Sequence, residues 1–151
     1  MVRTLAGKDR SSPVKIIITT FGLHEHFVSY CIRSLNYFWP ERPDVIVFSD
    51  RGSFSYANKV ISPEGEWVPM VLDCLLRALS SGMIHADDSV LLLLEDHIPH
   101  ASVPDKTIKL LSKQLKQRDN TYLNLAGHGP DQLVAALDSV SLHHMEFDWF
   151  S

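Results

Sequence analysis

The sequence predicts a Rossmann-like α/β/α sandwich with a mainly parallel sheet, and three observations carry that reading. Short β-branched or leucine-rich runs recur along the chain, apolar enough to be buried on both faces. Between them lie segments of helical length and helical period. Strands alternating with such helices build right-handed β-α-β units, whose strands run parallel.

The first strand is residues 14–20, VKIIITT, a β-branched run. Residues 26–39 then change period: Phe27, Tyr30, Cys31, Leu35 and Phe38 fall at helical intervals, and Pro40 closes the segment. Residues 44–49, DVIVFS, read as a second buried strand that leads into the turn Asp50-Arg51-Gly52-Ser53. Residues 67–79 are apolar almost all round, with Asp73 and Arg77 as the one polar stripe, so a largely buried helix is expected there. Pro69 is tolerated in its first turn.

Residues 89–94 are the most apolar strand. Residues 104–116 open on Pro and Asp, a good helix start, with Ile108, Leu111 and Leu115 on one face and Lys106, Lys109, Lys113 and Lys116 elsewhere. A fourth strand is expected at 121–125. A short helix is expected at 130–137, after the turn Gly127-His128-Gly129. The rest of the chain, residues 140–151, is aromatic and histidine-rich.

The 151 residues amount to one domain, expected over 14–151, behind a disordered leader at 1–13. That length buries enough surface to need neither disulfide nor metal for stability. A net charge of −4 gives no footprint for non-specific nucleic-acid binding. The longest apolar run, Val90 to Leu94, falls far short of the ~20 residues that span a bilayer. Cys31 and Cys74 lie in apolar helical patterns without a CxxC pair. They read as buried reduced thiols, which fits a cytoplasmic protein.

Ligands of open α/β sheets bind outside the carboxyl ends of the strands. The segments to inspect are therefore Thr19-Thr20-Phe21-Gly22, Asp50-Arg51-Gly52-Ser53, Glu95-Asp96-His97 and Gly127-His128-Gly129. In the third, three ionisable residues directly follow five apolar ones. Such clustered charge must pair, face water or hold a cation. Carboxylates with an imidazole suit Mn²⁺ or another divalent ion, which neutralises a diphosphate; the alternative is a solvated strand end that caps nearby backbone.

Gly127-His128-Gly129-Pro130 either presents a helix N-terminus to an anion or is a tight turn. His24-x-His26 and His97-x-x-His100 are close enough to chelate, but His24, His26, His97, His100, His128, His143 and His144 match no zinc spacing. They read as surface or turn residues, His97 excepted. Dinucleotide, P-loop and nucleophile-elbow fingerprints are missing.

In order and spacing these strand ends resemble the GT-A fold glycosyltransferases, the nucleotide-diphospho-sugar transferases. IIITTFG at 16–22, followed by CIRSL at 31–35, is similar to that family's first strand, loop and helix. VIVFSDRGS at 45–53 is similar to its second strand, which ends in Asp-Asp-Gly-Ser; here Arg51 replaces the second Asp. LLLLEDH at 91–97 resembles the Asp-x-Asp motif, with Glu95 first, Asp96 between and His97 last.

The resemblance spans roughly residues 14–127 and implies a GT-A fold and a nucleotide-sugar site. Asp50, with Arg51 beside it, would contact the nucleobase. Thr19, Thr20, Phe21 and Gly22 would line the nucleotide. Glu95, Asp96 and His97 would hold Mn²⁺ or Mg²⁺ against the diphosphate, with Asp96 and His97 as the metal ligands.

The implied function is metal-dependent transfer of a sugar from a UDP- or GDP-sugar. A non-catalytic nucleotide or nucleotide-sugar binding module, or a metal-dependent phosphoester hydrolase on Glu95, Asp96, His97 and His100, are the alternatives. Glu146 and Asp148 are the late carboxylates available as a catalytic base. The apolar residues Leu142, Met145, Phe147, Trp149 and Phe150 are expected to pack across the sheet or against a second copy in a homodimer.

Overall fold

The structure, a computed structural model, describes residues 14–52 and 55–117, without the side chains of 114, 115 and 117. In chain order the elements are β1 (Val14–Thr20), α1 (Glu25–Phe38), β2 (Val45–Ser49), β3 (Lys59–Ile61), α2 (Trp67–Ser80), β4 (Ser89–Leu94) and α3 (Asp105–Gln117). The strands form one all-parallel sheet in the order β3-β2-β1-β4. This is the expected α/β layering, with helices on both faces.

β1 is central and covered on both faces, which is why its β-branched run tolerates no solvent: Ile16, Ile17 and Ile18 are all buried. Each such side chain contributes roughly 1.5–3 kcal/mol by leaving water. On one face Ile16, Ile18, Val45, Val47 and Leu93 meet Val28, Cys31 and Leu35 of α1 and Ile108 of α3. On the other, Ile17, Ile46, Phe48 and Val60 meet Met70, Cys74 and Ala78 of α2. Trp39, just past α1, donates its indole N–H to Asp105 Oδ1 at 3.1 Å and so fastens the end of α1 to the start of α3.

The structure adds to or departs from the sequence-based expectations at four elements. The buried row of α1 is Val28, Cys31 and Leu35, whereas Phe27 and Tyr30 are exposed, because the helix lies on the sheet one position round from the aromatic stripe. α2 is not largely buried: Val68, Leu72, Leu76 and Leu79 are exposed, since the helix faces the sheet with Met70, Cys74 and Ala78, flanked by the partly buried Val71 and Leu75. β4 is the edge of the described sheet, and Val90 and Leu92 are exposed on it. β3 has no counterpart in the sequence reading, because three residues are too few to establish a period.

In α3 Ile108 and Leu111 are buried and Lys106, Lys109, Lys113 and Lys116 are exposed, as expected; the Leu115 side chain lies outside the described residues. Among the described residues no helix is long and apolar enough to cross a membrane. The leader at 1–13, Ser53, the strand at 121–125, the turn at 127–129, the helix at 130–137, the apolar tail, Glu146 and Asp148 lie outside the described residues.

Candidate functional site

The strand order reverses at β1. From it the chain moves outward to β2 and β3, then crosses beneath the sheet through α2 to place β4 on the other side. In open α/β sheets that reversal opens a crevice at the carboxyl ends of the strands. The ends of β2, β1 and β4 lie side by side there, about 4.8 Å apart, and bring together most of the residues singled out from the sequence.

The turn after β1 is held by the end of β2. Gly22 N–H donates to Asp50 Oδ1 at 3.0 Å. Gly22 has φ of +69°, a conformation that a Cβ would strain although the space around it is open. Asp50 Oδ2 faces Arg51 Nε at 3.4 Å, and Arg51 N–H donates to Ser49 Oγ at 3.0 Å. Thr19 Oγ donates to the Leu93 carbonyl at 3.4 Å and so couples β1 to β4. Phe21 packs against the α2-side core. Thr20 is fully buried at the tip of β1, and its hydroxyl has no hydrogen-bond partner among the described residues.

The end of β4 is seated on α1. Cys31 Sγ donates to the His97 carbonyl at 3.5 Å, and Ser34 Oγ donates to the Pro99 carbonyl. Val103 N–H donates to the Phe38 carbonyl at 3.1 Å, so the connection from β4 to α3 lies along the helix. Cys31 is pushed up to about 12, by burial first and then by the charges of Asp96 and Glu95 above it. Glu95 itself is buried, and His24 Nδ1, at the start of α1, donates to its Oε1 at 2.9 Å. A buried carboxylate needs such a partner.

His97 is tied back into its own turn. Its N–H donates to the Leu94 carbonyl at 3.1 Å, and its Nδ1 accepts the Leu94 N–H at 3.3 Å. The tautomer that fits this contact carries its proton on Nε2 and leaves that nitrogen for a ligand. Asp96 is exposed, and its carboxylate takes no hydrogen bond or ion pair among the described residues. No group of three or more His, Cys, Asp or Glu side chains is gathered to hold a metal among those residues.

His24 and His26 are turned to different partners: His24 faces Glu95, while His26 Nδ1 donates to the Leu23 carbonyl at 3.0 Å. His24 as the partner of Glu95, and Cys31 and Ser34 as the seat of the β4 end, were not assigned from the sequence. Their partners are 71, 66 and 65 positions away, and no local pattern signals them. No protein-family model matches the chain, and no curated protein or solved structure matches it.

Proposed function

We propose that the chain binds a nucleotide-diphospho-sugar at the carboxyl ends of β1, β2 and β4 and acts as a metal-dependent glycosyltransferase of GT-A type. The observation that supports this most is the row of linked polar groups at the strand-order reversal: Asp50 to Gly22 on one side of β1, His24 to Glu95 on the other. The nucleobase lies toward Asp50 and Arg51, along the Thr19–Gly22 turn. The diphosphate lies toward β4.

Charge decides how a diphosphate is accommodated. Asp50, Glu95 and Asp96 present three carboxylates, while Arg51 and His24 are each engaged by one of them. An incoming diphosphate therefore needs further positive charge or hydrogen-bond donors. His97 Nε2–H is one such donor. Asp96 is the side chain free to hold Mn²⁺ or Mg²⁺, and an ion anchored by one carboxylate suits a cation that arrives with the diphosphate and takes its other ligands from it. When bound, such an ion supplies Lewis-acid stabilisation of the charge on the leaving diphosphate. An inverting transfer also requires a carboxylate to deprotonate the acceptor hydroxyl, the role proposed for Glu146 or Asp148.

A binding module without turnover is the second reading. It is favoured by the engagement of Glu95 with His24 and of His97 with Leu94, which leaves few groups for chemistry. Incubating the full chain with UDP- and GDP-sugars and Mn²⁺ while following nucleoside diphosphate release separates the two. Release supports the transferase, including slow release to water; bound donor without release supports the module. Absence of donor binding refutes both.

A further inference from the structure

Asp50 and Arg51 close the rim at the end of β2, and their hydrogen-bonding capacity is only partly used there. Asp50 Oδ1 accepts the Gly22 N–H at 3.0 Å, and Oδ2 faces Arg51 Nε–H at 3.4 Å. Each carboxylate oxygen has about two acceptor positions, so one position on each stays open. Arg51 engages only its Nε–H with Asp50 among the described residues, which leaves its two terminal NH₂ groups. The Asp50 side chain is 14% exposed and that of Arg51 50%, so both reach the surface of the crevice.

The order of these groups carries information. Gly22 lies on the Oδ1 side of the carboxylate and Arg51 on the Oδ2 side. Along the open edge the pair therefore presents an Arg51 N–H donor, then the Oδ2 acceptor, then the Oδ1 acceptor. Cytosine offers the same order on its base-pairing edge, an amine followed by two acceptors. The other carboxylates of the rim present no such row. Glu95 is buried against His24, and Asp96 has no ion-pair partner among the described residues.

We infer that the base taken at this edge is guanine, an assignment that rests on reading the rim as a nucleoside diphosphate site. Guanine alone among the common bases sets an acceptor, O6, beside two donors, N1–H and N2–H₂. Arg51 donates to O6, Asp50 Oδ2 accepts N1–H and Oδ1 accepts N2–H₂, each bond assisted by the charge of the side chain. Uracil places its N3–H between two carbonyls, one of which then meets the Oδ1 acceptor. Adenine and cytosine set one amine beside a ring-nitrogen acceptor. That satisfies Arg51 and Oδ2 and leaves the open position on Oδ1 without a donor. A site built to hydrogen-bond a polar group rejects analogues that lack it.

Titration of the full chain with GDP, UDP, ADP, CDP and inosine diphosphate, all with Mn²⁺, tests this. GDP is expected to bind at least about tenfold more tightly than each of the others, within the range of one bidentate base contact. Inosine diphosphate lacks only the N2 amine, so affinity equal to that of GDP overturns the inference. Asp50→Asn keeps an oxygen for the Gly22 N–H and puts an amide donor in place of Oδ2. The row becomes donor, donor, acceptor, which the O2, N3 and N4–H₂ of cytosine complete. The variant should therefore bind CDP more tightly than GDP, and one that still prefers GDP overturns the inference. UDP or ADP bound as tightly as GDP overturns the base assignment while the rim stays a nucleotide site. No binding of any of these nucleotides refutes both. Should Asp50→Asn unfold, GDP against inosine diphosphate on the unmodified chain decides alone.

Discussion

The Asp50 carboxylate accepts the backbone N–H of Gly22, so the end of β2 holds the turn that follows β1 in place. The link joins two loops that are 28 positions apart in sequence and adjacent at the sheet rim. It also consumes a backbone donor that would otherwise compete for a ligand. Asp50→Ala leaves that N–H without its acceptor and is expected to lower stability by roughly 1–3 kcal/mol, read as a fall in denaturation midpoint. Gly22→Ala costs about 1–2 kcal/mol through its left-handed backbone alone. Wild-type stability in both variants would contradict the turn geometry.

His97 is expected to act as a hydrogen-bond donor toward phosphate. In metal-free buffer His97→Ala should weaken nucleoside diphosphate binding by roughly tenfold, the scale of one hydrogen bond to a charged group. His97→Gln, which retains a donor at similar reach, should recover most of it. A defect seen only when Mn²⁺ is present would instead make His97 a metal ligand and overturn the tautomer derived from the Leu94 contact.

Both thiols should resist modification in the folded chain. Cys31 is pushed up to about 12 and Cys74 to about 11, in each case chiefly by burial. A thiol reagent at pH 8 is expected to label neither until denaturant is added. Because the unfolded thiols ionise near the ordinary value of 9.0, their contribution to stability is complete below that pH. It is lost as pH climbs toward 11 and 12. Fast labelling at pH 8, or a stability that rises above pH 9, would contradict the burial.

Core and surface of α1 should separate cleanly. Leu35 is fully buried, and Leu35→Ala is expected to cost about 2–5 kcal/mol. Tyr37, two positions on, is exposed, and Tyr37→Ala should change stability by about 0.5 kcal/mol or less. Equal effects, read by denaturant unfolding, would mean the helix is rotated from its observed seat.

What the sequence discloses of this fold is whatever has a period or a composition of its own. The β-branched run of β1 and the helical intervals of α1, α2 and α3 place those elements within about a residue of their observed ends. Burial is less legible, because it depends on what covers an element. β4 and α2 have interior composition, yet Val90, Leu92, Leu72 and Leu76 are exposed where no described element reaches them. At the site, Asp50 and Glu95 could be located because charge follows an apolar strand. Their partners Gly22 and His24 could not be assigned, since parallel pairing brings together residues distant in sequence.

The rim formed by β2, β1 and β4 is proposed to receive a nucleoside diphosphate. Calorimetric titration of the full chain with UDP, GDP, ADP, CDP and TDP, each with and without Mn²⁺, tests it most directly. Saturable binding of at least one is expected, tighter with Mn²⁺, weakened by Asp96→Ala in the presence of the ion and by Asp50→Ala in either case. No binding across the whole panel, or binding untouched by both substitutions, would contradict it.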